Sequence, residues 1–468
     1  MMLDSSASPQ LEKPAEGPSP SLSHGLKQRH LSMIALGGVI GAGLFVGSGA
    51  GIAAAGPAIV LAFAAAGTIV MLVMRMLGEM SAARPVSGSF SVHAENEVGV
   101  WAGITSGWTY WVMLCCAVAA EATAAGRIMH SWIPDVPAYG WVAAFMALFC
   151  AMNLSAVKNF GEFEFWFATI KISAIVAFLA VAVLGVCGVL GHGGAPGTSN
   201  LTGHGGFFPT GGGGLVAGLL SSVFAYGGLE TVTIAAAESD QPSRNVASAV
   251  RTAMYRISVF YICSMALIVT LVPWNDPRLL SGGPYVAVLQ RLGIPGAADI
   301  METVVLIALL SAINANIYGA SRMAYSLVER GQGPGWLNRI HNGVPWRAVL
   351  ASCGFGFFAV VAGVIWPTTV FTWLMDTTGI AVLVVWVFIC VSQLRMRARL
   401  EREAPQLLTV RMWCYPYLTW TALSAIAAVF VLLATSKGGT EQLVPSAVLL
   451  ALLAGAGLWK QRRGASGG

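Results

Sequence analysis

The chain has 468 residues, of which 56% are hydrophobic and only 10% are charged, whereas an ordinary soluble domain is about 25% charged. This composition excludes a soluble globular protein and indicates a polytopic membrane protein. The net charge of +5 requires no nucleic-acid partner, because the placement of the basic residues is explained by membrane topology.

Residues 1–25 are rich in Ser, Pro and Glu and contain no apolar run, which predicts a disordered cytoplasmic tail. The tail lacks the basic start, apolar centre and small-residue cleavage site of a secretory signal. We therefore expect the first apolar segment to carry the chain into the membrane.

Apolar runs of roughly 20 residues, the length that crosses the hydrocarbon of a bilayer, recur along the rest of the chain. They predict an all-α protein with twelve transmembrane segments, of which the third, fifth and eighth are long or tilted. Their expected bounds are 31–53, 57–80, 101–129, 138–157, 163–190, 212–236, 249–273, 296–328, 346–366, 369–393, 413–435 and 441–460.

The basic residues predict the orientation, because loops rich in Lys and Arg stay in the cytoplasm. With the N-terminus inside, only Arg127, Arg278, Arg291 and Lys437 of the 26 Lys and Arg residues fall outside, and Lys171 falls within a segment. We therefore expect a multi-pass protein of the inner (plasma) membrane with both termini in the cytoplasm.

Motifs for covalent or metal chemistry are missing from the sequence, and the loose dinucleotide pattern GxGxxA at 49–54 has no βαβ pattern around it. The sequence contains no HExxH or paired metal-ligand spacing, and no GxxxxGK[ST] loop of an ATP motor. We expect no catalytic residue, no metal site and no cofactor, so the chain is not predicted to be an enzyme.

The first segment contains the glycine-rich stretch GVIGAGLFVGSGAG, in which glycine is costly for an uninterrupted helix. Gly43, Gly47 and Gly51 recur every four residues, as in a helix-packing face, but that spacing does not explain Gly41. The sixth segment contains FAYGGLE, with paired glycines beside a carboxylate.

Two glycine-interrupted segments, five segments apart, are typical of transporters built from inverted repeats. They predict a core at 26–393, made of segments 1–5 and 6–10 as two repeats, with segments 1 and 6 broken. Residues 394–468 are then a cytoplasmic loop, segments 11 and 12, and a short tail.

Several stretches in chain order resemble the amino acid permeases of the amino acid–polyamine–organocation superfamily, and within it most closely the bacterial γ-aminobutyrate permeases. They are LKQRHLSMIALGGVIGAGLFVGSG, MRMLGEMSAARPVSGSFSVHAE, VKNFGEFEFWFATIKISAI, FAYGGLETVTIAAAESDQPSRNVASAV, SRMAYSLVERGQGP and VSQLRMR. The resemblance implies a LeuT-like fold with an amino acid held at the two breaks. Permeases for aromatic and basic amino acids share much of the pattern.

A break after Ile40 leaves backbone N–H groups at the positive end of a half-helix, a suitable site for a substrate carboxylate. The expected donors are Gly41, Ala42, Gly43 and the nearby Leu44.

The opposed break in segment 6 leaves carbonyl groups near Phe224, Ala225 and Gly227 that accept from a substrate ammonium. Phe224 and Tyr226 are expected as apolar walls, with Phe224 as a gate. Ordinary packing is the alternative for both aromatic rings.

Three charged residues, Glu121, Lys171 and Glu230, fall within apolar segments, where facing lipid costs several kcal/mol. The resemblance implies that Lys171 carries the coupling proton, the alternative being an amine that extends to the headgroups. Glu230 either takes up protons or holds the unwound backbone, and the family favours coupling or gating. Glu121 either faces the substrate amine or pairs with Arg127 on its own helix.

Charges after the sixth segment, Glu238, Asp240 and Arg244, predict an intracellular gate with Arg84 or Lys158, or else a solvated turn. Ser321 and Arg322 at the end of segment 8 present the same choice.

These observations predict a proton-coupled amino acid symporter that imports γ-aminobutyrate or a related amino acid by alternating access, with a proton as the coupling ion. The alternatives are an amino acid or amine exchanger on the same fold, an importer of aromatic or basic amino acids, and an amino acid sensor without transport. The expected partners are the small substrate and the lipid bilayer, and the sequence leaves the oligomeric state open.

Overall fold

The computed structural model describes residues 40–86, 88–154, 157–190, 195–232, 259–366, 369–436 and 439–465. Within these ranges the chain is almost entirely helical. A short π-helical turn, Gly43–Gly47, leads into the first helix. The helices are α1 Ser48–Ala55, α2 Ile59–Ala83, α3 Ser89–Glu97, α4 Val100–Trp132, α5 Ala138–Leu154, α6 Val157–Val186, α7 Ser199–Thr202, α8 Gly211–Tyr226, α9 Val259–Leu271, α10 Arg278–Ser281, α11 Pro284–Leu292, α12 Ala297–Glu329, α13 Trp346–Ile365, α14 Val370–Glu403, α15 Tyr417–Thr435 and α16 Gly439–Ala465.

The described helices match the predicted transmembrane segments. Eight helical stretches are long and apolar enough to span a membrane, and α5, α8 and α9 are shorter apolar helices. The first stretch, Gly43–Ala83, divides at Gly56, whose φ of +65° favours glycine, and Pro57 follows it. The twelve apolar helices so defined confirm the predicted all-α architecture.

The helices at the centre of the bundle differ from those at its edge in how far the protein covers them. In the most apolar stretch of α4, 78% of the residues are buried within the protein, whereas only 11% are buried in that of α16. An apolar surface that the protein leaves uncovered suits a lipid-facing helix. The last helix, α16, is therefore the least covered of the long apolar helices that the structure describes.

The two repeats meet through corresponding helices. The first helices of each half, α1 and α8, pack against each other, and the third helices, α4 and α12, form a central pair. Glycine and small residues permit the close approach: a Cβ atom added at Gly51 would lie 2.8 Å from the Ser221 hydroxyl. The packing face inferred from the glycine spacing therefore exists alongside the break.

Helix α14 extends beyond residue 393, the end predicted for the tenth transmembrane segment. Residues 394–403, expected as loop, continue α14 as far as Glu403. Arg397 explains the extension, because its guanidinium bonds to Glu401 one turn onward (2.7 Å) and to Glu79 of α2 (2.9 Å). Ion pairs to a neighbouring helix keep these residues helical after the apolar pattern ends.

Candidate substrate site

The structure describes the first predicted break from Ile40 onward, and a helix begins just after it, where the sequence predicts the second half of the first segment. Ile40 is not helical and Gly41 forms a bend, after which the helix starts. The N–H of Ala42 donates to the Glu121 carboxylate (2.8 Å), and the N–H of Leu44 donates to the Gly41 carbonyl (3.2 Å). The expectation that Ala42 and Leu44 offer free N–H groups is therefore wrong: a carboxylate from α4 and the tightened first turn already use them.

The second break interrupts the sixth apolar segment after Tyr226. Gly227 is extended with ψ of 143°, and Gly228 has a φ of +96°, which favours glycine. The Gly227 N–H bonds back to the carbonyls of Val223 and Phe224. The carbonyls of Ala225 and Tyr226 therefore lie at the open C-terminal end of α8, the position suited to a cation.

The two breaks face each other across a small cavity. A Cβ atom added at Gly43 would collide with the Cα atom of Ala225, so glycine permits the contact. The cavity has a volume of about 20 Å³, enough for a water molecule. Its walls come from both breaks and from α4, α12 and α14: Gly43, Met113, Ala117, Glu121, Phe224, Ala225, Gly227, Gly228, Asn316 and Thr378.

Five of the predicted site residues, Gly43, Glu121, Phe224, Ala225 and Gly227, line this cavity together. Ile40, Gly41, Ala42 and Leu44 belong to the first break without lining the cavity.

Tyr226 is placed differently from the prediction of an apolar wall. Its ring stacks on Tyr261 (4.8 Å between centroids) and its hydroxyl donates to the Phe63 carbonyl (3.3 Å). The alternative of ordinary packing is therefore correct for this residue, because the last turn of α8 directs Phe224 and Tyr226 to different faces.

Five cavity residues were not predicted: Met113, Ala117, Gly228, Asn316 and Thr378. Helical spacing contained a signal for two of them, because Ala117 and Met113 lie four and eight residues before Glu121, on one face of α4. Asn316 and Thr378 are polar residues within apolar helices, a weaker signal that does not indicate which cavity they face.

Glu121 caps the first break from across the bundle. Its carboxylate is buried, accepts from Ala42 and lies against Gly41, where an added Cβ atom would collide with it. The guanidinium of Arg127 lies over the Phe371 ring, 5.7 Å from its centroid. The contact with the break, rather than the Arg127 pairing considered from the sequence, accounts for the position of Glu121.

Glu230 holds the second break. Its carboxylate is fully buried, accepts the Gly228 N–H (3.1 Å) and accepts the indole N–H of Trp386 on α14. Beside it, the hydroxyls of Tyr110 and Thr231 are 2.8 Å apart. Of the two roles considered from the sequence, holding the unwound backbone has direct geometric support.

Lys171 is fully buried, and its amine does not extend to the headgroups. Its Nζ donates to the Ser311 hydroxyl of α12 (2.9 Å) and lies 3.6 Å from the Glu164 carboxylate of its own helix. The headgroup alternative is therefore wrong. Glu164 was not singled out from the sequence, although an acidic residue two helical turns before a buried lysine was a usable signal.

The predicted intracellular gate falls largely outside the described residues, which exclude Glu238, Asp240, Arg244 and the side chain of Lys158. At the end of α12, the Arg322 guanidinium lies over the Tyr318 ring (3.9 Å) and donates to Ser321. Ion pairs that join Glu95 to Arg330 and Glu97 to Arg399 tie α3 to α12 and α14. These described contacts join the helices at the end of the bundle that the sequence predicts to be cytoplasmic.

Within the described part of the chain, His, Cys, Asp and Glu side chains form no group of three that could hold a metal ion. The charges of the site are instead those of Glu121, Glu230 and the Lys171–Glu164 pair.

Comparison with known proteins gives the family. The amino acid permease family model matches residues 30–458. A probable GABA permease of Pseudomonas aeruginosa is 43% identical, over 95% of this chain and 94% of the relative. The γ-aminobutyric acid permease of Bacillus subtilis is 42% identical over 92% and 91% of the two chains.

An aromatic amino acid transport protein of Corynebacterium glutamicum is also 42% identical, over 92% of this chain and 94% of the relative. Relatives named for γ-aminobutyrate and relatives named for aromatic amino acids therefore have nearly the same sequence identity to this chain.

Crystal structures of two mutants of a manganese transporter from Eremococcus coleocola have TM-scores of 0.60 and 0.61 at 13% identity. Each alignment covers 92% of this chain and 93% of the other, and at this identity it shows the fold alone. The predicted LeuT-like architecture with inverted repeats is confirmed. The chain belongs to the amino acid permease family and is a multi-pass membrane transporter of amino acids rather than an enzyme.

Proposed function

We propose that the chain is a proton-coupled importer of γ-aminobutyrate or a related amino acid, working by alternating access in the inner (plasma) membrane with both termini in the cytoplasm. The observation that carries this proposal is the cavity at which a helix N-terminus and a helix C-terminus face each other. Opposed helix ends attract the two ends of a zwitterion, because one is partly positive and the other partly negative.

The substrate carboxylate is assigned to the first break. Ala42 and Leu44 use their N–H groups within the protein, so of the predicted donors Gly43, which lines the cavity, is the main candidate, with Gly41 beside it at the break. The substrate ammonium is assigned to the carbonyls at the end of α8 and to Glu121, whose carboxylate lines the same cavity.

The size of the cavity supports alternating access and a slender substrate. At about 20 Å³ it is far smaller than the roughly 300 Å³ at which drug-sized ligand pockets begin, so its walls have to part before substrate enters. Phe224 contributes an aromatic ring to those walls and is assigned as the gate. A linear amino acid without a side chain needs less opening than an aromatic one, which favours γ-aminobutyrate over phenylalanine.

Proton coupling is assigned to Lys171, with Glu230 as a gating residue at the second break. A lysine can release and rebind a proton, whereas an arginine stays charged. Lys171 of α6 is buried against α12, beside Glu164 and Ser311, and this position supports the role.

The test is uptake by purified protein in liposomes that contain no substrate, with an imposed pH gradient, alkaline inside. We expect accumulation of labelled γ-aminobutyrate that excess unlabelled γ-aminobutyrate suppresses more strongly than phenylalanine or lysine does. Uptake only into preloaded vesicles would identify an exchanger, stronger competition by phenylalanine or lysine would identify a different substrate class, and binding without flux would identify a sensor.

A further inference from the structure

A buried polar chain joins α6 to α12 beside the substrate cavity. The Lys171 ammonium donates to the Ser311 Oγ atom (2.9 Å), and the Ser311 hydroxyl donates to the Glu164 Oε2 atom (2.8 Å). Glu164, Lys171 and Ser311, which we call the lysine network, are fully shielded from solvent. The hydroxyl therefore lies between the proton donor and the proton acceptor of a buried ion pair.

The direction of each hydrogen bond follows from the chemistry of the groups. An ammonium has only donors, an ionised carboxylate has only acceptors, and a hydroxyl both accepts and donates. The direct distance from Nζ to the Glu164 Oε1 atom is 3.6 Å, longer than a hydrogen bond. The continuous hydrogen-bonded route between the two charges therefore passes through Ser311.

We propose that Ser311 relays a proton between Lys171 and Glu164, which makes Glu164 the second proton carrier of the transport cycle. One Nζ–H bond breaks as a new Oγ–H bond forms, while the original Oγ–H bond breaks as an Oε2–H bond forms. The ammonium and carboxylate become an amine and a carboxylic acid, and the serine ends as it began. The step needs no other reactant, and it rests on the proposed coupling role of Lys171.

Burial makes the transfer energetically accessible. Taking an ammonium and a carboxylate out of water is costly for each ion, so one proton transfer neutralises both penalties together. The titratable groups facing the Lys171 amine are Glu164 on its own helix and Glu121 on α4. From α12 the polar group in contact with the amine is the Ser311 hydroxyl, and one turn further along α12 Asn314 accepts a hydrogen bond from Asn153 of α5.

The relay is placed to respond to the first break. Gly41 packs against Ala312, the residue after Ser311, so that a Cβ atom added at Gly41 would lie 2.8 Å from that of Ala312. Movement of the break during substrate binding therefore acts on the part of α12 that holds the relay hydroxyl.

The test is Ser311→Ala, with Ser311→Thr as the variant that keeps a hydroxyl. We expect Ser311→Ala to reduce uptake driven by a pH gradient by about tenfold or more, as losing a positioned proton-transfer group does. Exchange of labelled for unlabelled substrate should stay within about twofold of wild type, because exchange requires no net proton transfer. Ser311→Thr should restore driven uptake, and Glu164→Gln should behave like Ser311→Ala.

Ser392→Ala is the matched control, since Ser392 is another fully buried serine, on α14, outside the lysine network. Driven uptake by Ser311→Ala at the wild-type level would overturn the relay, and so would an equal loss of exchange, which would indicate a structural role. The proposed function fails separately: in that case wild-type protein itself shows no response to the pH gradient.

Discussion

Two neighbouring polar regions in the described interior of the protein are built from different chemical groups. The break site, Gly41–Gly43 with Phe224–Gly228, uses main-chain groups at two helix ends and borders a cavity. The lysine network uses three side chains, with two opposite charges that are joined through the Ser311 hydroxyl within the protein. A region with unused helix-end groups is suited to a ligand from outside, whereas a hydrogen-bonded chain between two buried charges is suited to moving a proton.

The comparison also indicates how the two regions communicate. Glu121 reaches the break through Ala42 and lies close enough to Lys171 to act on its charge. Gly41 meets the relay helix at Ala312. The break site and the lysine network therefore consist of different residues but lie next to each other. A substitution in one region should leave part of the other region's activity measurable.

The largest expected effect is that of Gly43→Val, because the new side chain would collide with Ala225 and fill the meeting point of the breaks. We expect substrate affinity to fall by more than about 2 kcal/mol, roughly 30-fold, and transport to be lost in all modes. Equilibrium binding of labelled substrate measures this. Gly455→Val is the control, since an added Cβ there meets nothing within 4 Å, and wild-type affinity for Gly43→Val would remove the proposed carboxylate site.

Lys171→Ala should affect the other region selectively. Uptake driven by a pH gradient should fall about tenfold or more, whereas exchange should persist, because the break site keeps its residues. Leaving Glu164 without its partner also destabilises the fold, by up to about 3–5 kcal/mol for a broken buried pair, so thermal unfolding is measured alongside. Intact pH-driven accumulation would exclude Lys171 from coupling.

Glu121→Gln tests the residue that touches both regions. The amide oxygen can still accept from Ala42, but the negative charge that faces the cavity is lost. We expect substrate affinity to fall about tenfold, as for the loss of one hydrogen bond to a charged group. The control is Glu302→Gln, at a carboxylate bonded to Trp132 away from the cavity. Unchanged affinity would leave Glu121 as a cap on the helix rather than a substrate contact.

The smallest effect is expected for Tyr226→Phe. This hydroxyl bonds to the Phe63 carbonyl outside both regions, so its loss should cost about 1 kcal/mol of stability and change substrate affinity by less than about twofold. The measurements are thermal unfolding and substrate binding. A tenfold drop in affinity would instead indicate that Tyr226 is part of the cavity wall, as the sequence predicts.

The elements that sequence reasoning located well depend on local composition. The transmembrane segments follow from runs of apolar residues, and both breaks follow from glycines that tolerate the required backbone, as at Gly228. The buried positions of Glu121, Lys171 and Glu230 follow from the cost of exposing charge to lipid. Such properties reside in neighbouring residues and need no knowledge of the fold.

Which groups meet across the bundle was decided only by the tertiary structure. Glu121 and Ala42 are far apart in the chain, as are Lys171 and Ser311, and no local pattern specifies their register. The direction in which Tyr226 faces was set by the space beside Phe63 and Tyr261. The sequence by itself determined where the helices span and break, because backbone and solvation preferences are local. The partners of each buried charge depend on how the helices pack, which is a property of the whole chain.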